Sequence, residues 1–293
     1  MPRRYPVLLL VVLGLACSGC SRPGSAPPPS PSPVAATSEP ALTVSSGQQT
    51  KTFSRSELLK HPALQSLTIP DKSAYQGSNQ TFQVVPLSAL FAGTSVPAGR
   101  QLHYETSDGF SSSLPADQAL TNDTARSIAY LAIETPDKPW PKFENRTVGA
   151  GPFYLVWSHP ELSNIGREEW PFQLRSFSVQ APIEELYPAI LPNKSLPKDG
   201  PEWRGYHAWV RNCFPCHTMN GQGAAHFGPD LNRPMNPTQY FKEAALKQLI
   251  RNPRSVRTWT DSKMSPFGED ILSNRELDDI VAYLKQMALQ PGK

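Results

Sequence analysis

The chain has 293 residues, with 28 Lys and Arg against 25 Asp and Glu, and 32 prolines. That length leaves room for more than one domain. The near balance of charge gives no footing for a nucleic-acid surface.

The N-terminus opens with Arg3-Arg4 and an apolar run from Val7 to Ala16, followed by small residues and two cysteines. This pattern reads as an export signal. The run is too short to span a bilayer, which takes about 20 apolar residues. Residues 1–20 are therefore expected to be a lipoprotein signal peptide with its lipobox. Cys20 is the expected lipidation site: Ser18-Gly19 supplies the small pair before it, although Cys17 stands where leucine is usual. Cys17 itself is the alternative, but it puts Gly14 in the leucine position. A serine follows either choice, Ser21 or Ser18, so sorting to the outer membrane is expected in a Gram-negative cell. The mature chain would then be lipid-anchored on the periplasmic side.

Residues 21–40 hold seven prolines among Ser, Ala and Gly, the composition of an extended, disordered tether. From 41 to 180 the pattern changes. Runs at 82–84, 102–104, 128–133, 153–157 and 172–179 are rich in β-branched and aromatic residues and read as strands, with short helical pieces at 56–59 and 87–91. A mostly β, mixed α+β domain is expected. His61, His103 and His159 occur singly, Asp108-Gly109 reads as a turn, and Trp140, Trp157 and Trp170 read as core. Pro182, Pro188, Pro192 and Pro197 mark residues 181–198 as a stiff linker.

Residues 199–293 read as helical. A middle helix starts at Thr238 and runs through Phe241, Ala245 and Ile250 until Asn252-Pro253 stops it. Ser273 and Glu276 form a capping box. Leu277, Ile280, Val281, Leu284 and Ala288 follow on one face of the last helix.

Cys213-Phe214-Pro215-Cys216-His217 carries the chemistry. C-x-x-C-H is the attachment signature of a c-type haem. Two thiols three positions apart at the end of a helix reach both vinyl groups of one porphyrin, and the next histidine lies under the iron. A thioredoxin-type pair would need a βαβ setting that is missing. A zinc site using His217 and His226 would need a second ligand pair. Gly221, Gly223 and Gly228 give a loop able to wrap a flat cofactor. The candidates for the other side of the iron are Met219, Met235, Met264 and His226. Met219 is too close to His217, and His226 sits on the proximal loop. Met235 lacks a supporting helix. Met264, in a loop stiffened by Pro266, is the strongest. Arg251, Arg254, Arg257 and Lys263 precede that loop and read as a solvated face, propionate partners or a basic docking patch.

With the haem motif, the Gly228-Pro229-Asp230-Leu231 turn and the Met264-Ser265-Pro266-Phe267 loop in this order, residues of about 200–290 resemble a class I c-type cytochrome. The resemblance implies an all-α domain, one covalently attached haem c, His217 and Met264 as iron ligands, and Pro229 orienting His217 through its carbonyl. It also implies a crossing of the first and last helices where Gly205 and Trp209 meet Ile280 and Tyr283. The β region weakly resembles the molybdopterin-binding domain of sulfite-oxidase-type enzymes through 85–90, 107–110, 151–156 and 170–179. That family holds molybdenum with a cysteine thiolate, and no cysteine lies between Cys20 and Cys213. The resemblance therefore implies a non-catalytic relative. Two functions stand: a membrane-anchored monohaem cytochrome exchanging single electrons with a redox protein partner, or an oxidoreductase whose β domain oxidises a small substrate and passes electrons to the haem.

Overall fold

The computed structural model describes residues 39–293 apart from 72, 76, 144–146, 225–226, 259–261, 263 and 291–293. The signal peptide, nearly all of the tether, Cys17, Cys20, His226 and Lys263 lie outside the described residues.

In chain order the strands are β1 Ala41–Ser46, β2 Gln49–Ser54, β3 Gln65–Pro70, β4 Asn79–Pro86, β5 Gln101–Thr106, β6 Ser111–Pro115, β7 Ile128–Ile133, β8 Phe153–Ser158 and β9 Leu174–Gln180. Three one-turn helices lie between them, α1 Arg55–Leu58, α2 Leu87–Leu90 and α3 Ala116–Ala119. The N-terminal region is thus mostly β, as expected. It forms two sheets, ordered β2-β1-β9-β5-β6 and β3-β4-β7-β8. β1 pairs parallel to β9, and every other neighbour is antiparallel. The long span between β1 and β9 is what permits the parallel pair, because such a pair cannot be closed by a hairpin.

β7 and β8 read as nearly unbroken apolar runs, and both are buried on both faces. Leu42, Val84, Leu102, Leu131, Leu155, Trp157 and Phe177 have no exposed surface and make the core. Trp157 and Trp170 are buried as expected, while Trp140 is only partly so. At Asp108 the carboxylate accepts from Thr106 Oγ1 at 2.5 Å and Phe110 N at 3.2 Å, which makes the expected turn. The sequence pattern missed β1, β2, β3 and β6. β2 is polar with no buried residue, and β6 is mostly serine with only Ser112 and Leu114 buried, so their strand character comes from the partner's free backbone groups rather than from their own apolar period.

Next come α4 Ile183–Leu186, α5 Pro201–Asn212, α6 Pro237–Tyr240, α7 Glu243–Arg251, α8 Pro253–Val256 and α9 Asn274–Ala288. The segment expected to be a linker, 181–198, departs from that reading. Ile183 and Ile190 are buried in the helical core. Tyr283 Oη donates to Ile190 O at 2.7 Å, and Asn220 Nδ2 donates to Ala189 O at 2.9 Å. The prolines set turns, and the isoleucines between them are buried because apolar area gains by leaving water. The expected middle helix also breaks in two. Phe241 and Lys242 are extended between α6 and α7. The Ser273–Glu276 capping box of α9 forms as read.

α5 crosses α9 at Gly205, where an added Cβ would lie 1.9 Å from Asp279 O and 2.9 Å from Tyr283 Cβ. Trp209 packs against Tyr283 with ring centroids 5.5 Å apart and the rings tilted by 48°. Arg204 locks the crossing with two 2.8 Å bonds to the Asp279 carboxylate. Gly205→Ala should force the helices apart. Overpacking of this kind costs about 1–3 kcal/mol, and the gain in helix propensity offsets about 1 kcal/mol of it. A backbone collision sits at the upper end, so a net loss of about 2 kcal/mol in urea unfolding is expected.

Candidate haem-attachment site

α5 delivers the two cysteines. Its last turn closes with Cys213 N donating to Trp209 O at 2.7 Å, and a single turn follows in which His217 N donates to Cys213 O at 2.9 Å. Helical spacing therefore persists through Cys216, placing both thiols one turn apart with His217 next to them. Both cysteines are free and half-buried. Burial first, then the neighbouring charges, pushes each up to about 12, so both are neutral thiols.

The loop that follows folds back under the motif. Gly228 N donates to Cys216 O at 2.8 Å and Leu231 N to Thr218 O at 2.9 Å. His217 Nδ1 lies 2.8 Å from Pro229 O. A carbonyl can only accept, so Nδ1 carries the proton and the lone pair is left on Nε2, the tautomer that binds a metal. Burial lowers the His217 pKa against smaller opposing effects of Pro229 and Asp230, which keeps the ring neutral. A Cβ at Gly228 would lie 2.4 Å from His217 Cε1, so only glycine lets the turn pass beneath the ring.

Asp230 ties the loop together. One oxygen accepts from Thr218 Oγ1 at 2.9 Å and Gly221 N at 2.6 Å, the other from Asn232 N and Arg233 N at 2.8 Å each. Burial raises its pKa, but these bonds outweigh it and hold the carboxyl below its usual range. A buried asparagine chain extends the anchor. Asn232 Nδ2 donates to Asn220 Oδ1 and Met287 O, and Asn236 Nδ2 to Asn232 Oδ1 and Leu284 O. Two carbonyls in the last turns of α9, Leu284 O and Met287 O, thereby gain a side-chain donor. The sequence reading had not singled out Asn232 or Asn236. Asparagine in a loop reads as a turn former, and its partner here is more than 45 residues away.

Met264 is half-buried against the helical core, in a loop whose Phe267 is buried. Arg251 holds that loop. Its Nη1 donates to Phe267 O at 2.9 Å and to Leu272 O, and its Nη2 to Asn274 Oδ1 at 2.8 Å. Arg251 is therefore neither a solvated face nor a docking charge, whereas Arg254 and Arg257 are exposed. Of the other candidates, Met219 is fully buried in the core and Met235 is 52% exposed.

The donor set fits haem c: two neutral thiols one turn apart, an imidazole with its Nε2 lone pair available, and a cradle that only glycine permits. A helical domain that presents such a set at the end of its first helix is the class that covalently holds haem. Residues 204–288 match the family model for Cytochrome c, a span of less than a third of the chain. No curated protein matches the chain. The C-terminal region is thus a cytochrome c domain, consistent with the class I type. It supports a haem-containing electron-transfer role, with covalently bound haem c and a redox partner implied by the family.

Proposed function

We propose that the protein is a monohaem c-type cytochrome that exchanges single electrons with a redox protein partner. In this reading it is held at the periplasmic face of a bacterial membrane, the outer membrane being favoured, by a lipid on Cys20 or Cys17. The observation that carries the reading is the 2.8 Å contact of His217 Nδ1 with Pro229 O beside two free thiols. Bound haem supplies an iron that cycles between ferrous and ferric. The chain would do the rest: Cys213 and Cys216 would hold the ring, His217 and Met264 would supply the ligands to the iron, and Pro229 O holds the imidazole through Nδ1. Among the described residues no helix is long and apolar enough to cross a membrane. Support for the anchor comes from the export-signal pattern and the cysteines that close it, Cys17 and Cys20.

The β region, taken as residues 41–180, is in this reading non-catalytic, since its stretch of chain offers no thiolate for molybdenum. The purified protein should contain one covalently bound haem and no molybdenum, and should take up and release one electron reversibly. Haem count by alkaline pyridine spectrum and metal analysis would test this. Stoichiometric molybdenum, or haem reduction driven by a small substrate, would replace the carrier with the enzyme.

A further inference from the structure

The β region meets the haem-attachment segment on both sides of the motif. Before it, the chain at Gly166 lies against α5. A Cβ there would fall 3.2 Å from Arg211 Cδ, two residues ahead of Cys213. Arg211 Nη2 in turn donates to Glu276 Oε1, and the other oxygen of that carboxylate accepts from Ser273 N in the cap of α9. The short helix after Gly166, Arg167–Glu169, is fixed to the sheets. Tyr104 Oη donates to Glu168 O at 3.0 Å, and Trp157 Nε1 to Glu169 O at 2.8 Å.

After the motif, Phe110 in the turn between β5 and β6 meets Phe227, with ring centroids 6.1 Å apart. Phe227 directly precedes Gly228, whose missing Cβ leaves room for the His217 ring. Phe110 stands on fixed ground. Its carbonyl accepts from Thr106 N and Thr106 Oγ1 at 2.9 Å each, and Ser107 N donates to Gln173 O at 2.9 Å, which ties the turn to the chain entering β9. The fully buried Tyr104 ring packs behind Phe110 at a centroid distance of 6.1 Å. The loop it meets has more backbone freedom to lose than most, with glycine at 221, 223 and 228. Asp230 and the asparagine chain anchor that loop after Pro229, whereas Phe227 lies before it.

We propose that Phe110 braces the loop beneath the motif: its ring against Phe227 holds the Gly228-Pro229 turn closed on His217 and keeps the imidazole in the orientation that iron ligation needs. The inference rests on haem being attached at Cys213 and Cys216, and it gives the β region a task that attachment alone does not require. Phe110 acts through Phe227 and is a positioning residue rather than a ligand.

The test uses the full-length haem protein in its ferrous state. NMR reads solvent exchange at His217 Nδ1–H, which Pro229 O accepts, and at the Gly228 and Leu231 amides, which bond to Cys216 O and Thr218 O. In Phe110→Ala these protons should exchange about tenfold faster, the scale of one lost aromatic pair acting on a local opening. The amides of Leu131 in β7 and Ile280 in α9, both buried, should keep their wild-type rates. Phe110→Tyr retains the ring and should exchange as wild type throughout. Unchanged exchange at His217 and Gly228 in the alanine variant would overturn the proposal. Equal acceleration at Leu131 and Ile280 would overturn it too, because the ring would then serve the stability of the whole fold. If the alanine protein matures poorly, Phe110→Leu should show the same local pattern by a smaller step, and an absent or uniform step there counts against the brace equally. Failure of the underlying haem reading is distinct: the denatured wild-type protein would then hold no covalent chromophore.

Discussion

Replacing Met264 by alanine should abolish the weak methionine–iron band of the ferric protein near the red end of the visible spectrum and lower the haem potential. A thioether ligand stabilises ferrous iron, so its loss favours the oxidised state. The half-buried side chain adds a packing loss of about 1–2 kcal/mol, below the range for fully buried methionines. Arg251→Gln makes the companion variant. Arg251 holds the loop at Phe267 O, Leu272 O and Asn274 Oδ1 without any need to touch the cofactor. The band should therefore survive in that variant but disappear at lower concentrations of added imidazole. A band that persists in Met264→Ala would move the sixth ligand elsewhere, with Met235 the next candidate in spite of its exposure.

The haem-attachment motif and the contacts around it were not equally legible in the sequence. The attachment motif was, because its chemistry is local: two thiols and an imidazole within five residues need only a helix end to come together. The start of α9 was legible for the same reason, as Ser273 and Glu276 satisfy each other's backbone amides. Contacts between distant segments were not. Arg251 looked like one of several surface charges until the carbonyls it binds were in place. The break at Phe241 and Lys242 escaped because a two-residue extended link leaves the spacing of Phe241, Ala245 and Ile250 compatible with one helix. In the β region β7 and β8 announced themselves as nearly unbroken apolar runs, and the fold buries both faces of each. The edge strand β2, with the sequence Gln49-Thr50-Lys51-Thr52-Phe53-Ser54, carries polar residues suited to a solvent-facing edge and gave no apolar signal. The β region's approach to Phe227 and Arg211 had no sequence signature, since aromatic and glycine contacts across more than 40 residues follow from the fold.

The segment 181–198 supplies the second large effect. A fragment of residues 199–293 behind a secretion signal keeps the motif, both long helices and the methionine loop. It loses Ile183 and Ile190, which are 4% and 0% exposed in the intact chain. It also deprives the buried Tyr283 hydroxyl of its acceptor, Ile190 O, and Asn220 of Ala189 O. Each isoleucine contributes about 1.5–3 kcal/mol through burial, and an unpaired buried hydroxyl costs about 1–3 kcal/mol. The expected deficit is about 5 kcal/mol, comparable to the whole stability of many small domains at about 5–15 kcal/mol. In a cytochrome-maturing host the 199–293 fragment should yield little haem protein, or one that unfolds at a much lower urea concentration. A fragment starting at residue 181 restores those contacts and should mature and unfold cooperatively, even without the β sheets. Equal yields and equal urea midpoints for the two fragments would show that 181–198 is the spacer its prolines suggest. A deficit confined to the shorter fragment would place the start of the haem-binding unit at residue 181, where the apolar burial begins.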